Sequence, residues 1–359
     1  MGTSTTTDVR LASDWVTTLR EVCSSYERVL VLVSAGGRER GTLKDAERAL
    51  TDVETMVLPP APVNPSVKKL VDLYGRMDLR DFDSIVAVGG GSVIDSAKAI
   101  TLARNCTSAA DFETRLTSGS LFSDVCDFDV VAVPTTAGTG SEVTPFATIW
   151  DTKSMRKCSI SGDCLQPRYA VLAPSLLMSL EGDSLLFPAL DAVSHAIESL
   201  WSKNATHQSR LNATTALSLL SLAIGTCITQ NPDFERLSLG SLYAGLAIAQ
   251  SRTAIAHSMS YPLTLWYGVP HGLACSFTLS AVHEHLTDRL GTYCEEIDLI
   301  ERTLEEVQLL NLGERMSSYI SLSEARNHVL EMVTPGRGDN CVLTFGPEEI
   351  LNIVTQGYS

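Results

Sequence analysis

Asp191 and His195 stand four residues apart in Leu186-Phe-Pro-Ala-Leu-Asp191-Ala-Val-Ser-His195-Ala-Ile-Glu-Ser-Leu-Trp-Ser. The run has helical periodicity, so both side chains project from one helix face. A carboxylate and an imidazole on an otherwise apolar face have two ordinary explanations: a hydrogen-bonded core pair, or a pair of metal ligands. Two histidines downstream bear on the choice, His257 in Ala-His-Ser-Met-Ser-Tyr-Pro and His271 in Val-Pro-His-Gly. One carboxylate and three imidazoles make a donor set suited to a divalent first-row ion. Oxygen and imidazole donors without a thiolate favour Fe(II), with Zn(II) or Mn(II) as substitutes. With a coordination position left open, such an ion would polarise a carbonyl oxygen as a Lewis acid.

A second chemistry is written in the glycines. Gly89-Gly90-Gly91-Ser92-Val-Ile-Asp95 follows the apolar run 84–88 and leads into a helical segment, 93–103. Glycines at a strand-to-helix junction let the backbone approach an anion, and the free N–H groups of the helix favour a phosphate. The pattern is not GxGxxG and lacks the lysine of a P-loop. Three consecutive glycines exceed what a tight turn requires. Thr135-Thr136-Ala-Gly-Thr139-Gly-Ser141 is a second hydroxyl-rich loop, after the apolar run 130–133. In an open parallel sheet both loops lie at the carboxyl edge, where ligands bind, and two such loops point to a dinucleotide. The first apolar run, 28–33, ends in Ser34-Ala-Gly36-Gly37-Arg38. NAD enzymes often carry an acidic residue there for the ribose hydroxyls. Its absence, with Arg38 and Arg40 close by, tilts the expectation toward NADPH over NADH; an ordinary glycine turn with two exposed arginines is the structural alternative.

These groups need elements to hold them. Apolar runs at 28–33, 53–58, 84–88 and 130–133 alternate with amphipathic segments at 66–74 and 93–103. Such β–α alternation implies a parallel sheet covered by helices on both faces. Past Pro174 strand-like runs give way to long helical patterns at 211–228, 237–249, 299–309 and 348–354. The expected organisation is an α/β dinucleotide-binding domain over 1–180 and an all-helical domain over 181–359 that carries the Asp/His set. The polar N-terminus through Trp15 is expected to fray, 105–128 to form a surface excursion, and 334–339 to be a loop before a last short helix.

Composition narrows the partners. A net charge of −15 with no Lys/Arg cluster excludes nucleic acid as an expected partner. No apolar run reaches the ~18–20 residues that span a bilayer, the nearest being LSLLSLAIGTCIT, so no membrane partner is expected. Nine scattered cysteines without a CxxC pair fit a reducing compartment, and a cytoplasmic location is expected.

The assembled motifs resemble the iron-containing (group III, metal-dependent) alcohol dehydrogenase family over residues 29–279, and less closely beyond. The resemblance rests on GGGSVIDSAKA at 89–99, PTTAGTGSEVT at 134–144, DAVSHAIE at 191–198, and AHSMSYPL with GVPHG across 256–272, in the family's order. It implies the architecture shared with dehydroquinate synthase: an α/β NAD(P)-binding domain with a parallel sheet, then an all-α metal-binding catalytic domain. It implies Asp191, His195, His257 and His271 as metal ligands. Gly89, Gly90, Gly91, Ser92, Asp95, Thr135, Thr136, Thr139 and Ser141 would hold the dinucleotide, with Gly36, Gly37 and Arg38 beside them. Lys157 matches a family lysine near the nicotinamide ribose. One departure is Tyr261, four residues after His257, where many members carry a further histidine. Its phenol could donate a proton or merely pack.

Within the family, HSMSYPLTLWYGVPHGLACSFTL at 257–279 resembles the phosphonoacetaldehyde reductase subgroup of phosphonate biosynthesis. That implies reduction of phosphonoacetaldehyde to 2-hydroxyethylphosphonate. A phosphonate tail needs a cation; Arg252, five residues before His257, is the preferred candidate, ahead of Arg156, Thr253 and Ser260. Two other readings stand beside this one. The first is a general short-chain alcohol or diol dehydrogenase of the same family. The second is a dehydroquinate synthase-like, NAD- and metal-dependent lyase or cyclase, against which Asp191 in a DxxxH pattern argues. A small aldehyde is the expected substrate partner, and a homodimer the expected assembly, because closed two-fold pairs are commonest.

Overall fold

The computed structural model describes residues 6–75, 77–118, 128–154, 156–333 and 338–359. The chain forms two units, one of residues 1–136 with 141–177, the other of 137–140 with 178–359.

The first unit is built on eight strands: β1 (Asp8–Leu11), β2 (Arg28–Val33), β3 (Glu54–Val57), β4 (Ser84–Gly89), β5 (Asp129–Pro134), β6 (Phe146–Asp151), β7 (Arg156–Ser161) and β8 (Tyr169–Leu172). Six form a sheet in the order β1-β8-β5-β4-β2-β3, every neighbouring pair parallel. Its helices are α1 (Trp15–Cys23), α2 (Ala35–Glu39), α3 (Thr42–Ala49), α4 (Val67–Tyr74), α5 (Gly91–Ala103) and α6 (Ala109–Thr117).

The strands read as unbroken apolar runs because both faces are covered. Val29, Val31 and Val33 of β2, with Val86, Val88, Val131 and Val133, pack against Trp15, Val16, Leu19 and Cys23 of α1 and Ala46 and Ala49 of α3. The alternate residues Leu30, Leu32, Ile85, Ala87, Val130 and Ala132 meet the residues of α4, α5 and α6 on the other face. Burying each such Val, Leu or Ile contributes about 1.5–3 kcal/mol. The alternation implied by the sequence is therefore the parallel sheet that forms.

Three local expectations are corrected. Residues 8–11 do not fray; they pair with β8 as an edge strand, Asp8 opposite Tyr169 and Leu11 opposite Leu172. An edge strand is held by backbone hydrogen bonds along one side, so it needs little apolar sequence, and Leu11 stays exposed. The stretch 105–128 contains α6, started by Ser108, whose hydroxyl accepts from the Asp111 N–H. Phe112 and Leu116, one turn apart, anchor it in the core. Finally β6 and β7 form an antiparallel hairpin that the sequence did not suggest. Ala147, Ile149, Cys158 and Ile160 alternate along it and pack into the cluster around α5. Residues 1–5 of the expected frayed end, 119–127 of the expected excursion and 334–337 of the expected C-terminal loop lie outside the described residues.

The second unit is helical: α7 (Asp183–Trp201), α8 (His207–Ala223), α9 (Phe234–Ser251), α10 (Ile255–Tyr267), α11 (His271–Ser276), α12 (Leu279–Leu290), α13 (Ile297–Gln308), α14 (Leu312–Ser317), α15 (Leu322–Arg326) and α16 (Pro347–Gly357). α7 starts five residues before Pro188 and carries the proline within it. From Ala189 to Trp201 every residue of α7 is buried, which makes it the central helix of the unit. Residues 207–228 are long and apolar enough, by length and composition, to cross a bilayer, with an 18-residue stretch of mean hydropathy 1.6. Here α8 packs along α7 and α9, and Ala213, Ala216, Leu217 and Leu220 face that core.

Candidate functional site

Asp191, His195 and Glu198 occupy positions i, i+4 and i+7 of α7, two turns of one face. His257 lies in the first turn of α10, and His271 is the first residue of α11. The three imidazoles converge on a single oxygen. Asp191 Oδ1 is 3.5 Å from His195 Nε2, 3.3 Å from His257 Nε2 and 3.9 Å from His271 Nε2. A tetrahedral ion with bonds of ~2.1 Å has donor–donor edges of ~3.4 Å, so the spacing fits four donors around one ion. Asp191 Oδ1 and His257 Nε2 are both buried and have no hydrogen-bond partner among the described residues. Buried polar atoms are normally paired, and these two face the centre of the donor set. The residues present therefore fit a divalent ion.

The other ring nitrogens fix which atom points inward. His257 Nδ1 lies 2.5 Å from Glu198 Oε2, and His195 Nδ1 lies 3.3 Å from the Gly138 carbonyl. An Nδ1–H donated to an oxygen leaves Nε2 with its lone pair toward the ion. Glu198 also accepts the backbone N–H groups of Ala256 at 2.6 Å and His257 at 3.1 Å, capping α10 with a fully buried carboxylate.

The charges agree with this arrangement. Burial alone would raise Asp191, yet His195 and its other imidazole neighbours hold it well below the ordinary carboxylate range. Burial pushes His195 down to about 4, so it is neutral at pH 7 and able to ligate. Burial opposes charge on Glu198, but His257 and the backbone donors keep its pKa low. For His257 burial lowers the pKa, while Cys275 and Glu198 outweigh it and raise the value well above the usual range. Two buried carboxylates thus draw a cation to the centre, a proton on His257 or a metal ion.

Neither Glu198 nor Cys275 was singled out from the sequence. Glu198 carried a signal, since it follows Asp191 by two helical turns within DAVSHAIE. Replacing it by Gln is expected to weaken metal affinity about 10–100-fold while the fold persists, because Gln keeps one acceptor oxygen without the charge, too few for both the His257 ring and the backbone N–H groups of α10. Competition against a chelator of known affinity measures this, and unchanged affinity would relegate Glu198 to helix capping. Cys275 follows His271 by one turn of α11, and its Sγ lies within 4.8 Å of the donor atoms of Asp191, His257 and His271. The thiol packs against the His271 ring, 3.7 Å from Nδ1 and 3.6 Å from Nε2.

Two further candidates of this unit, Tyr261 and Arg252, differ in place. Tyr261 stacks nearly parallel to His271, with ring centroids 6.4 Å apart, so it stands beside the donor set. Arg252 is exposed at the end of α9, and among the described residues it makes none of the hydrogen bonds or ion pairs given for the donor set. Its backbone is at φ +62°, ψ 171°, a conformation that only glycine adopts readily. Thr139 belongs to the segment 137–140 that groups with this unit.

In the first unit the two loops lie side by side. Gly89 at the end of β4 pairs with Pro134 at the end of β5. Gly90 precedes α5 without a side-chain cap, and a Cβ there would meet Thr136 Oγ1 at 3.0 Å. The backbone N–H groups of Gly91 and Ser92 open the helix, which is the arrangement that receives a phosphate. The chain reverses its direction across the sheet between β2 and β4, so residues 34–38 and 89–92 flank that switch point. Asp95 is committed to bracing: its carboxylate accepts from Ser141 Oγ at 2.5 Å and Thr148 N at 2.9 Å. Lys98 works alongside it, fully buried, donating to the carbonyls of Thr144 and Phe146. Burial pushes Lys98 down to about 8 and Glu142 up to about 7. Lys157 on β7 sits 6.0 Å from the Trp150 ring; burial raises the Asp95 pKa, and Lys98, with Lys157 more weakly, opposes the rise. Gly36 and Gly37 lie within α2, where the Gly37 N–H donates to Ser34 Oγ. Arg38 is half-buried and donates to the Leu58 carbonyl, while Arg40 is exposed. Arg156 is tied to Asp151.

Residues 6–174 match the iron-containing alcohol dehydrogenase family, and residues 187–317 match the C-terminal part of the Fe-containing alcohol dehydrogenase family. A phosphonoacetaldehyde reductase of Streptomyces viridochromogenes is 40% identical over 66% of this chain and 60% of its own length. A 4-hydroxybutyrate dehydrogenase of Clostridium kluyveri is 32% identical over 58% of this chain and 56% of its own. The chain spans about three fifths of the length of the curated relatives it matches. An iron-containing alcohol dehydrogenase of Thermococcus thioreducens has a similar fold, with a TM-score of 0.85 at 24% identity over 98% of both chains.

Proposed function

The chain belongs to the iron-containing alcohol dehydrogenase family, and from that premise we propose that it is a metal-dependent NAD(P)H aldehyde reductase acting on phosphonoacetaldehyde. The observation that carries the reading is the convergence of three imidazole Nε2 atoms on the unpartnered Asp191 Oδ1. The identity to a phosphonoacetaldehyde reductase supports the substrate.

Reduction of an aldehyde needs an aligned nicotinamide, a polarised carbonyl and a proton. A divalent ion held by Asp191, His195, His257 and His271 would supply Lewis-acid stabilisation of the charge developing on the aldehyde oxygen. Glu198 orients His257 for that task through Nδ1. The Tyr261 phenol, beside His271, is positioned either to pass a proton to the product oxygen or to wall the site against water. In the first unit Gly89, Gly90, Gly91 and Ser92, with Thr135 and Thr136, receive the pyrophosphate; Asp95 and Ser141 brace the loop, and Lys157 stands near the ribose. Because Arg38 is occupied by Leu58, the exposed Arg40 is the group suited to a 2′-phosphate, and NADPH remains the favoured cofactor. Arg252 takes the phosphonate; its strained backbone is the support for a functional rather than an incidental position. The protein works as a cytoplasmic homodimer in this reading.

The test is a steady-state assay of metal-loaded protein with phosphonoacetaldehyde and with neutral aldehydes of similar size, each with NADH and NADPH. The phosphonate substrate is expected to lead in kcat/KM. Arg252→Ala is expected to raise KM for phosphonoacetaldehyde about 10–100-fold, the worth of a charge-assisted hydrogen bond, and to leave the neutral aldehydes unchanged. Equal effects on both would remove Arg252 from the substrate. A second reading, a general short-chain alcohol or diol dehydrogenase, is favoured by the absence of Arg252 from the contacts of the donor set. It would show as equal kcat/KM across the panel.

A further inference from the structure

We propose that Asn340 is a positioning residue of the metal site: by clamping the strained turn at Arg252 it fixes where α10 begins, and so where His257 stands. This role rests on the metal-dependent reading and deepens it, naming what holds one of the ligands in place.

The chain passes from α9 to α10 through residues 252–254. Arg252 takes φ +62° there, the left-handed kind of conformation that glycine usually supplies just past a helix end. A residue with a side chain resists it and persists there only where its surroundings over-determine the turn. Asn340 supplies that constraint. Its Nδ2 donates to the Ser251 carbonyl and to the Thr253 carbonyl, each at 3.0 Å, one on either side of Arg252. Its Oδ1 accepts from Asn204 Nδ2 at 2.7 Å. These partners fix the orientation of the amide, since only its NH2 end can face two carbonyls. Asn340 is buried, so both bonds are made away from water.

The clamp is anchored on α7. The Asn340 carbonyl accepts from Lys203 N at 2.7 Å, and Val342 N donates at 2.8 Å to the carbonyl of Trp201, the last residue of α7. Thus α7 reaches the start of α10 twice. Glu198 accepts the N–H groups of Ala256 and His257 directly, and the far end of the helix acts through Asn340. Asp191 and His195 stand on that same helix. Without Asn340 the turn relaxes toward an ordinary φ, the first turn of α10 shifts, and His257 Nε2 loses its 3.3 Å spacing from Asp191 Oδ1.

The experiment measures Zn(II) affinity of the full chain by competition with a chelator, in a double-mutant cycle of Asn340→Ala and Arg252→Gly. Glycine takes up the conformation at 252 without resistance, so the clamp has less to hold in that background. Asn340→Ala is expected to lose about 10–100-fold in Zn(II) affinity with Arg252 in place. In Arg252→Gly the same change is expected to cost less than about threefold. Asn340→Asp keeps the volume but sets a carboxylate against two carbonyls, and is expected to bind Zn(II) no better than Asn340→Ala. Wild-type affinity in Asn340→Ala or Asn340→Asp, or an equal loss in both backgrounds, would overturn the proposal and leave Asn340 a packing residue. Should Asn340→Ala fail to fold, the double variant decides. Folded, with an affinity within about threefold of Arg252→Gly, it supports the clamp; unfolded, it overturns it. A wild type that binds no Zn(II) would overturn the metal reading and with it the role of Asn340 there. Thermal melts of the four proteins would still show whether Asn340 holds the turn, through a larger drop in melting temperature with Arg252 than in Arg252→Gly.

Discussion

Asp191→Ala is expected to yield a folded protein that binds no divalent ion after dialysis and whose kcat/KM for aldehyde reduction falls about 10³–10⁵-fold. The size follows from what the residue does. Asp191 supplies the only carboxylate oxygen at which the three Nε2 atoms meet among the described residues. Without it the site is a group of imidazoles, two of them stacked with centroids 4.7 Å apart, with no negative charge at the centre. An ion placed there would meet three neutral donors, and a proton on His257 would lose one of its counter-charges. Lewis-acid stabilisation of a developing alkoxide is worth several kcal/mol, and each 1.36 kcal/mol is tenfold in rate. Elemental analysis of the dialysed protein and steady-state kinetics check both halves. Turnover within tenfold of the wild type, with no metal bound, would remove the ion from the mechanism. Asp191→Asn serves as a partner variant: it keeps the volume and one oxygen donor but removes the negative charge, and is expected to bind metal weakly rather than not at all.

The parts of this arrangement legible in the sequence were the local ones. Asp191 and His195 share a helix face because they are four apart, and Gly89–Gly91 announce a strand-to-helix junction because no other residue tolerates that approach. Of the four strands read from apolar runs, β2, β4 and β5 are covered on both faces, and a buried parallel strand has no polar side to show; β3 is an edge strand whose first half is exposed. Among the strands that escaped notice, β8 is a short buried apolar strand between β1 and β5; the others are stabilised otherwise. β1 is an edge held by backbone pairing to β8, and in the β6–β7 hairpin Ala147, Ile149, Cys158 and Ile160 alternate with polar or partly exposed residues, so no continuous apolar run marks it. Convergence was the least legible feature. His257 and His271 come from α10 and α11, and nothing in their spacing to α7 says that they meet at one oxygen. Cys275 drew no reading of its own among nine scattered cysteines. Arg38 looked available to a phosphate until Leu58, 20 residues away, was found to accept from it. In each case the deciding partner lay on an element distant in sequence.

Gly272→Ala carries the other large effect, and it acts through packing rather than chemistry. Gly272 is the second residue of α11, between His271 and the turn that carries Cys275. A Cβ there would sit 1.8 Å from the Phe187 carbonyl oxygen and 3.1 Å from the Asp191 nitrogen. Both are backbone atoms of α7, the central helix of its unit, so no side chain can rotate away to make room. Relief requires α11 to back away from α7 by on the order of 1 Å, and overpacking of this kind costs about 1–3 kcal/mol or more. His271 moves with the helix, out of reach of the ion shared with Asp191. A misplacement of about 1 Å costs on the order of 10²-fold in rate. The expected result is a lower melting temperature, metal affinity reduced at least tenfold, and kcat/KM down about 10²-fold or more. Gly225→Ala is the matched control, because a Cβ at Gly225 meets only the Glu306 carboxylate at an ordinary 3.5 Å; its stability should stay within about 0.5 kcal/mol of the wild type. Thermal melts and metal titrations on both variants decide the matter. Wild-type metal binding in Gly272→Ala would mean that α11 does not seat against α7, and the placement of both His271 and Cys275 would fall with it.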